Sequence, residues 1–283
     1  MERKAYEDLC FTDDFMFCKI LSNNHGLCKE LLELILGIRI RNLEFAEPQK
    51  PIEHTYDGRG IRLDVYVEDD ANTVYDIEMQ TVLKANLPKR TRYYQGMIDL
   101  NLLERGDDFN KLKKSFIVFI CLDDPFKAGF PIYTFTNRCM QDPEIELGDA
   151  SAKVIVNAGG SREGLSEDMV SFLDYLKSRI TGSDFTRRIE ADVDNAIEHR
   201  RWKVEYMTLD MIRREERQEG HEEGFIEGRE KGHEEGREEG RIKLLKTLYS
   251  MVSDGAISIE YAASQAEMTP EEFEAAIKDY ESK

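Results

Sequence analysis

The sequence lacks any hydrophobic run that approaches the roughly 18 residues of a membrane-spanning helix, so it predicts no membrane span. Its first residues, MERKAYEDLCFTDD, contain no apolar core like that of a signal peptide and favour a cytoplasmic protein. Cysteine is sparse, with five residues at positions 10, 18, 28, 121 and 139 and no CxxC pair. An odd, scattered set argues against a disulfide framework or a zinc site, so we expect reduced and mostly buried thiols.

Positive charge is in deficit, because 39 Lys and Arg residues face 57 Asp and Glu residues and the net charge is −18. A chain of this charge repels nucleic acid as a whole. The excess is uneven, since residues 205–283 carry −10 and residues 1–204 carry −8. With 283 residues, 41% of them hydrophobic, the chain can form one large domain or a core domain with an appendage.

The first 204 residues alternate between helical and strand patterns, which predicts an α/β or α+β core. Helical spacing and capping residues predict helices at 12–23, 25–37, 86–106 and 167–180. Strands are predicted at 40–47, 61–67, 73–80, 115–122, 130–137 and 152–159, with a loop at 48–60. The run SFIVFICL at 115–122 is continuously apolar, which is typical of a strand buried on both faces.

The composition changes after Trp202, and from Gly220 to Gly240 a glycine recurs at every fourth residue. Each interior glycine costs a helix about 1 kcal/mol, so two interpretations stay open: a charged, semi-ordered linker, or a helix that self-associates along its bare glycine stripe. The end, ISIEYAASQAEMTPEEFEAAI, resembles a helix-turn-helix, but its second helix is too acidic to read a DNA groove and favours an interaction module. We therefore predict domains at 1–204, 205–241 and 242–283.

The stretch IRLDVYVEDDANTVYDIEMQ, residues 61–80, predicts a β-hairpin with an unusual concentration of acids. Placing the apolar rows of both strands on one face requires a three-residue loop, Asp70–Asn72, and puts Asp64 directly opposite Glu78. The apolar rows are Ile61, Leu63, Val65 and Val67 on one strand and Tyr75, Ile77, Met79 and Thr81 on the other. Like charges opposite each other destabilise a sheet by a few tenths to about 1 kcal/mol, so folding alone does not explain the pair.

Asp64 and Glu78 can share one hard divalent cation such as Mg²⁺, which prefers oxygen ligands and keeps several waters. A shared cation turns their repulsion into attraction, activates a bound water and neutralises charge on a phosphate. Gln80 projects to the same face as Glu78 because it is two residues further along the strand. A solvated acidic face on an exposed hairpin is the alternative interpretation.

A basic segment, KANLPKRTRYY, follows the hairpin in this otherwise acidic chain. Its basic residues are Lys84, Lys89, Arg90 and Arg92. Basic residues next to an acidic, metal-binding face suit a nucleic-acid substrate, because they can hold its phosphates while one of them is attacked. Tyr93 and Tyr94 either stack on bases or pack against the sheet.

These features together resemble the PD-(D/E)XK nuclease superfamily, whose signature is an Asp on one strand and (D/E)-x-K on the next. Within it the chain is similar to the recombination-promoting nuclease / putative transposase family. The similar segments, all within about residues 10–180, are TDDFMFCKIL, RLDVYV, YDIEMQ, RTRYYQGM and ERGDDFNKLKKSFIVFICL. The glycine- and charge-rich tail also resembles those of that family.

The resemblance implies a restriction-endonuclease-like α/β core, a mixed central sheet flanked by helices, with a C-terminal helical tail. It implies a Mg²⁺-dependent DNA endonuclease, with Mn²⁺ as the other candidate ion, linked to recombination or mobile elements. Asp64 and Glu78 match the acidic metal ligands, and Gln80 stands at the position of the signature lysine, where it can orient water or phosphate only by hydrogen bonds. Glu30 or Glu33 from an N-terminal helix is a candidate to complete the site.

Two other functions stay open. A non-catalytic adaptor would keep the nuclease fold and act through its tail, which could also mediate self-association. The net charge of −18 and the absence of the signature lysine favour this adaptor function. A nuclease that acts on RNA is equally compatible with the sequence. Metal binding through Asp64 and Glu78 separates a nuclease from an adaptor.

Overall fold

The computed structural model describes residues 4–45, 51–52 and 61–281, which divide into two compact units, Met1–Met207 and Thr208–Lys283. The described helices are α1 (Asp14–Asn23), α2 (His25–Leu36), α3 (Leu87–Leu102), α4 (Glu167–Ser178), α5 (Asp184–Glu198), α6 (Arg200–Ser253), α7 (Ile259–Gln265) and α8 (Pro270–Glu281). The described strands are β1 (Leu43–Phe45), β2 (Pro51–Ile52), β3 (Ile61–Arg62), β4 (Val65–Asp69), β5 (Val74–Gln80), β6 (Ser115–Cys121), β7 (Ile132–Phe135) and β8 (Ser151–Asn157).

The first unit contains a mixed six-stranded sheet in the order β1-β4-β5-β6-β8-β7. Strands β5, β6 and β8 are parallel, while β1, β4 and β7 pair antiparallel with their neighbours. The predicted α/β fold is confirmed. Within the predicted loop at 48–60, Pro51 and Ile52 form a strand with β3, and the other residues of that loop lie outside the described residues.

The predicted hairpin register is confirmed by the pairing of β4 with β5. Val65 lies opposite Ile77 and Tyr66 lies opposite Asp76, so the same register continued by one residue sets Asp64 against Glu78. The connection is the predicted three-residue loop 70–72, and Asn72 adopts a left-handed backbone with φ 59°, a conformation that Asn tolerates.

One part of the hairpin prediction is wrong, because Leu63 does not share a face with Val65. It is fully buried in a cluster that contains Tyr66 and Val74, side chains of the opposite face. The reason is a break in the strand, since residues 63 and 64 lie between β3 and β4 and belong to neither.

Helix α3 covers one face of the sheet. Its residues Leu87 and Ile98 are buried against Ile117, Phe119 and Cys121 of β6. The intervening Val118 and Ile120 are fully buried on the other face, while α1, α2, α4 and α5 pack on one another and α1 contacts β4. The prediction of a doubly buried strand at 115–122 is therefore confirmed by β6.

The five cysteines are free thiols, three of them buried and two partly buried, as the sequence predicts. None of the described helices combines the length and the hydropathy that crossing a bilayer requires.

The second unit has a small core formed by the end of α6 with α7 and α8. Its buried side chains are Leu245, Leu248, Ala262, Ala263, Phe273 and Ile277. Side chains cap both short helices: Ser258 accepts from Tyr261 N, and Thr269 forms a capping box with Glu272. The glycines at 220–240 lie within α6.

The start of α6 belongs to the first unit through Tyr206. Its ring lies 5.5 Å from the ring of Tyr6 and 5.2 Å from that of Phe15, and its hydroxyl donates to the carbonyl of Lys4. These contacts indicate that a chain cut after residue 207 keeps the packing of its last helical turns.

We predict that the first unit folds without the second and that self-association depends on the tail. A chain ending at Met207 is expected to unfold cooperatively and to be a monomer. The full chain is expected to be a dimer or larger, because the bare glycine stripe lets two helices approach closely. Light scattering on both chains measures this, and an equal mass per chain in the two would contradict association through the tail.

A chain ending at His199 is the control, because it removes from the first unit the start of α6 with Tyr206 and with the ion pairs Lys203–Glu7 and Lys19–Glu205. It is expected to be monomeric but less stable by about 3–5 kcal/mol, the usual cost of deleting a large buried aromatic side chain. Thermal unfolding of the two shortened chains checks that cost.

Candidate metal centre

Two reciprocal hydrogen bonds join the acids of the hairpin at the break before β4. The main-chain N of Asp64 donates to Glu78 Oε1 at 2.9 Å, and Asp64 Oδ2 accepts from the main-chain N of Met79 at 3.2 Å. Each carboxylate is therefore held by the other strand, and the two acids keep a defined orientation although their charges repel.

Helix α1 brings a third acid to this place. Ligand atoms of Asp14, Cys18 and Asp64 all lie within 4.8 Å of one another. Asp14 is the first residue of α1, and Cys18 lies on the same helix face because it is four residues further along. These three residues form a group that can hold a metal ion.

A fourth acid, Asp76, lies two residues before Glu78 on β5 and therefore on the same face of that strand. It is fully buried, and among the described residues neither of its carboxylate oxygens has a partner in hydrogen-bond geometry. A buried carboxylate without a partner costs free energy that a nearby cation would recover.

Burial sets the protonation of this group of acids. It raises the pKa of Asp64 far above the ordinary value of 3.8, and the charge of Glu78 adds to that rise. It also raises the pKa of Asp76 and of Glu78, with further contributions from Asp64 and Asp76 respectively. Without a cation Asp64, whose pKa is raised to about 9, therefore keeps its proton at neutral pH, and a cation that binds it must release that proton.

The donor set fits a hard divalent ion. Asp14, Asp64, Asp76 and Glu78 offer carboxylate oxygens, the ligands that Mg²⁺ and Mn²⁺ prefer. Cys18 adds one soft thiol, whose sulfur lies 4.0 Å from Asp14 Oδ1. These residues of α1, of the break before β4 and of β5 therefore form a candidate acidic site for a divalent metal.

The predicted proximity of Asp64 and Glu78 is confirmed, and the alternative of a solvated acidic face is wrong. Asp64 is 9% exposed, Glu78 4% and Gln80 8%. The hairpin is an inner part of the sheet, because β1 flanks β4 and β6 flanks β5. Burial on both sides is what separates this arrangement from an ordinary acidic surface.

The predicted basic residues divide into two groups. Lys84, Lys89 and Arg92 are exposed. Arg90 instead turns inward and lies 3.7 Å from Glu78. The two tyrosines also differ: Tyr94 packs against Phe119, with ring centroids 5.9 Å apart, while Tyr93 is 42% exposed.

The two glutamates considered for completing the site are engaged elsewhere. Glu30 binds Arg188 at 2.6 Å, and Glu33 accepts from the main-chain N of Ile40 at 2.7 Å. Asp14 occupies the place considered for them. Its signal was its position within TDDFMFCKIL, one of the segments that resemble the nuclease family.

Comparison with known proteins agrees with this geometry. Residues 11–135 match the sequence model of a PD-(D/E)XK nuclease family transposase. The matched range contains α1, the hairpin, α3 and β6, and therefore every residue of the candidate centre. No curated protein and no solved structure matches the chain. The resemblance predicted from the motifs is confirmed.

We predict that Asp64→Asn reverses its effect on stability when a divalent cation is added. Because the pKa of Asp64 is raised in the folded state, the metal-free folded protein binds more protons than the unfolded chain above about pH 4. Its free energy of unfolding therefore falls as pH rises toward the raised pKa. At pH 8 and without metal, the Asn variant is expected to equal or exceed wild type by up to about 1 kcal/mol.

With Mg²⁺ at 100 times its dissociation constant, wild type should gain about 2.7 kcal/mol, and the Asn variant should lose most of that gain. Thermal unfolding with EDTA and then with Mg²⁺ measures both effects. Asp70→Asn in the exposed hairpin loop is the matched control and should respond to Mg²⁺ as wild type does. Parallel Mg²⁺ shifts in wild type and Asp64→Asn would contradict a metal site at Asp64.

Proposed function

We propose that the PD-(D/E)XK nuclease family transposase domain at residues 11–135 makes this protein a metal-dependent DNA endonuclease. Mg²⁺ is the proposed ion, with Mn²⁺ as its substitute, and the proposed role lies in recombination or in mobile elements. The observation that carries the proposal is the grouping of Asp14 of α1 with Cys18 and Asp64, next to the buried Asp76 and Glu78 of β5. A protein that only bound DNA would have no use for so many buried acids.

The acids have distinct roles in this proposal. Asp14 and Asp64 hold the cation. Glu78, which accepts from the main-chain N of Asp64, is the further ligand, and Asp76 supplies the unpartnered carboxylate beside it. When bound, such an ion polarises a phosphoryl oxygen and lowers the pKa of a coordinated water. The chain contributes orientation, because Asp64 and Glu78 are each held by a main-chain N–H before any substrate arrives.

The exposed bases of the segment before and within α3 provide the proposed DNA contact. Lys84, Lys89 and Arg92 are exposed on the element that follows the acidic hairpin directly. Cations at this place position a phosphate backbone, without reading its sequence. They concentrate positive charge locally, which a chain with a net charge of −18 requires for binding a polyanion.

An adaptor function is the second candidate. The observation that favours it is Gln80, which stands where the nuclease signature has a lysine and carries no charge. An adaptor would keep the buried acids protonated and would need no divalent ion. Metal binding and cleavage therefore separate the two functions.

We predict that the purified protein nicks supercoiled plasmid in the presence of Mg²⁺ or Mn²⁺. Asp64→Ala and Asp14→Asn are expected to lower the rate at least about 100-fold, because metal stabilisation of the transition state amounts to several kcal/mol. Glu30→Gln is the matched control, since it removes an acid from the neighbouring helix α2 and lies outside the site. It should cleave at the rate of wild type.

Cleavage by wild type that stays at the Asp64→Ala background with both ions and at several salt concentrations would reject the endonuclease proposal. The same assay with single-stranded RNA and duplex DNA of equal sequence assigns the substrate. Faster cleavage of the RNA would move the proposal from DNA to RNA.

We predict that charge removal at Lys84, Lys89 and Arg92 weakens DNA binding in a salt-dependent manner. Each neutralised phosphate contributes about 0.9 to the slope of log affinity against log salt. A triple Gln variant is therefore expected to flatten that slope by about 2–3. Fluorescence anisotropy of a labelled duplex, in EDTA to prevent cleavage, measures it. Lys177→Gln on α4 serves as the single-charge control, and an unchanged slope in the triple variant would place the DNA contact elsewhere.

A further inference from the structure

Arg90 is a cation that turns toward the acids from α3. Its side chain is only 24% exposed, and Arg90 Nη2 lies 3.7 Å from Glu78 Oε2. Arg90 Nη1 donates to Gln80 Oε1 at 2.5 Å. A cation placed in this way is poorly suited to an outer contact with a DNA backbone, the role that the sequence alone predicts for it.

Both ends of the Gln80 side-chain amide form hydrogen bonds within the protein. Its Oε1 accepts from Arg90, and its Nε2 donates to the carbonyl of Val82 at 2.5 Å. In this orientation the amide oxygen faces the Arg90 donor and the amide nitrogen faces the Val82 carbonyl, so each contact joins one donor with one acceptor. Gln80 therefore fixes the position of a neighbouring side chain, which differs from the expected role of orienting water.

Two aromatic rings complete the surroundings of the guanidinium. Its central carbon lies 5.4 Å from the ring centroid of Tyr94 and 5.2 Å from that of Phe119. The Tyr94 hydroxyl accepts from Arg90 Nη2 at 3.1 Å, since Tyr94 is four residues further along α3. Such cation–π and hydrogen-bond contacts hold the planar group in one orientation.

We propose that Arg90, held by Gln80, supplies the positive charge of the reaction centre and donates to the phosphate that is attacked. The inference rests on the proposed function. A guanidinium has five N–H donors, and the hydrogen bonds to Gln80 and Tyr94 use two of them. Within the described part of the chain the remaining donors have no hydrogen-bond partner, so they can bind non-bridging phosphate oxygens, where negative charge accumulates during attack.

A different role for the same contacts is purely structural. In that case Arg90 only neutralises Glu78 and keeps it in place, and its charge has no part in the reaction. The two roles predict different results when the positive charge is moved from position 90 to position 80. If the charge acts on the phosphate, a lysine at position 80 can restore cleavage to a variant that lacks Arg90. If Arg90 only holds Glu78 in place, that lysine cannot restore cleavage.

The decisive experiment relocates the charge in the full-length protein. In single-turnover cleavage of duplex DNA, Arg90→Gln is expected to lower the rate at saturating DNA about 100-fold or more, the usual loss of one preorganised donor. The double variant Arg90→Gln with Gln80→Lys is expected to recover at least about tenfold of that loss. A double variant no faster than Arg90→Gln overturns the proposal.

Arg105→Gln is the matched control, because it removes the same charge from an exposed position in the turn after α3, outside the proposed site. It should leave the saturated rate within about twofold, the scale of a surface charge that makes no contact with the reacting phosphate. An Arg90→Gln variant that weakens DNA affinity and keeps the saturated rate within about twofold would mean that Arg90 is an outer phosphate contact, which overturns the proposal. If Arg90→Gln does not fold, Gln80→Leu serves instead, because it removes the hydrogen bond that holds Arg90. It must then lower the cleavage rate at saturating DNA.

A second measurement needs neither DNA nor turnover. Calorimetric titration with Mn²⁺ is expected to show tighter binding by Arg90→Gln and unchanged binding by Arg90→Lys, because a neighbouring positive charge opposes a divalent cation. Weaker or unchanged binding by Arg90→Gln assigns Arg90 to holding Glu78 and overturns the proposal. If wild type binds Mn²⁺ but does not cleave, the endonuclease function fails, and this titration still decides where the Arg90 charge acts.

Discussion

The reciprocal bonding of Asp64 and Glu78 is the constraint on which the candidate centre depends. Main-chain N–H groups that would serve the strand ladder bind carboxylates instead. The ladder is interrupted at residues 63 and 64 as a result, and this interruption lets Asp64 approach Asp14 of α1. Without the break, the side chain of Asp64 would stay on the face of β4 that α3 covers.

Desolvation gives the acids their chemical character. Like charges on adjacent strands are unfavourable even in water, and burial increases the cost of ionising each of them. Protons relieve this cost in the metal-free protein, and a divalent cation relieves it better because it binds several acids at once. A site that destabilises the empty fold and is stabilised by its ligand is expected where function has priority over stability.

Positive charge is distributed in two layers around the acids. Arg90 packs against the rings of Tyr94 and Phe119 beside Glu78, while Lys84, Lys89 and Arg92 face solvent. The inner cation is fixed by aromatic and amide contacts, so it can act on one atom of a substrate. The outer cations lie at the surface and suit an extended phosphate backbone, which needs attraction more than orientation.

The sequence by itself determined the α/β fold, the hairpin register and the opposition of Asp64 to Glu78. These follow from local rules, since alternation of period two and a three-residue loop admit one register. The tertiary structure alone decided that Asp14 joins the site while Glu30 and Glu33 do not, and that Arg90 turns inward while Arg92 stays outside. Those choices depend on how helices pack against the sheet, which brings together residues 50 or more positions apart, as with Asp14 and Asp64.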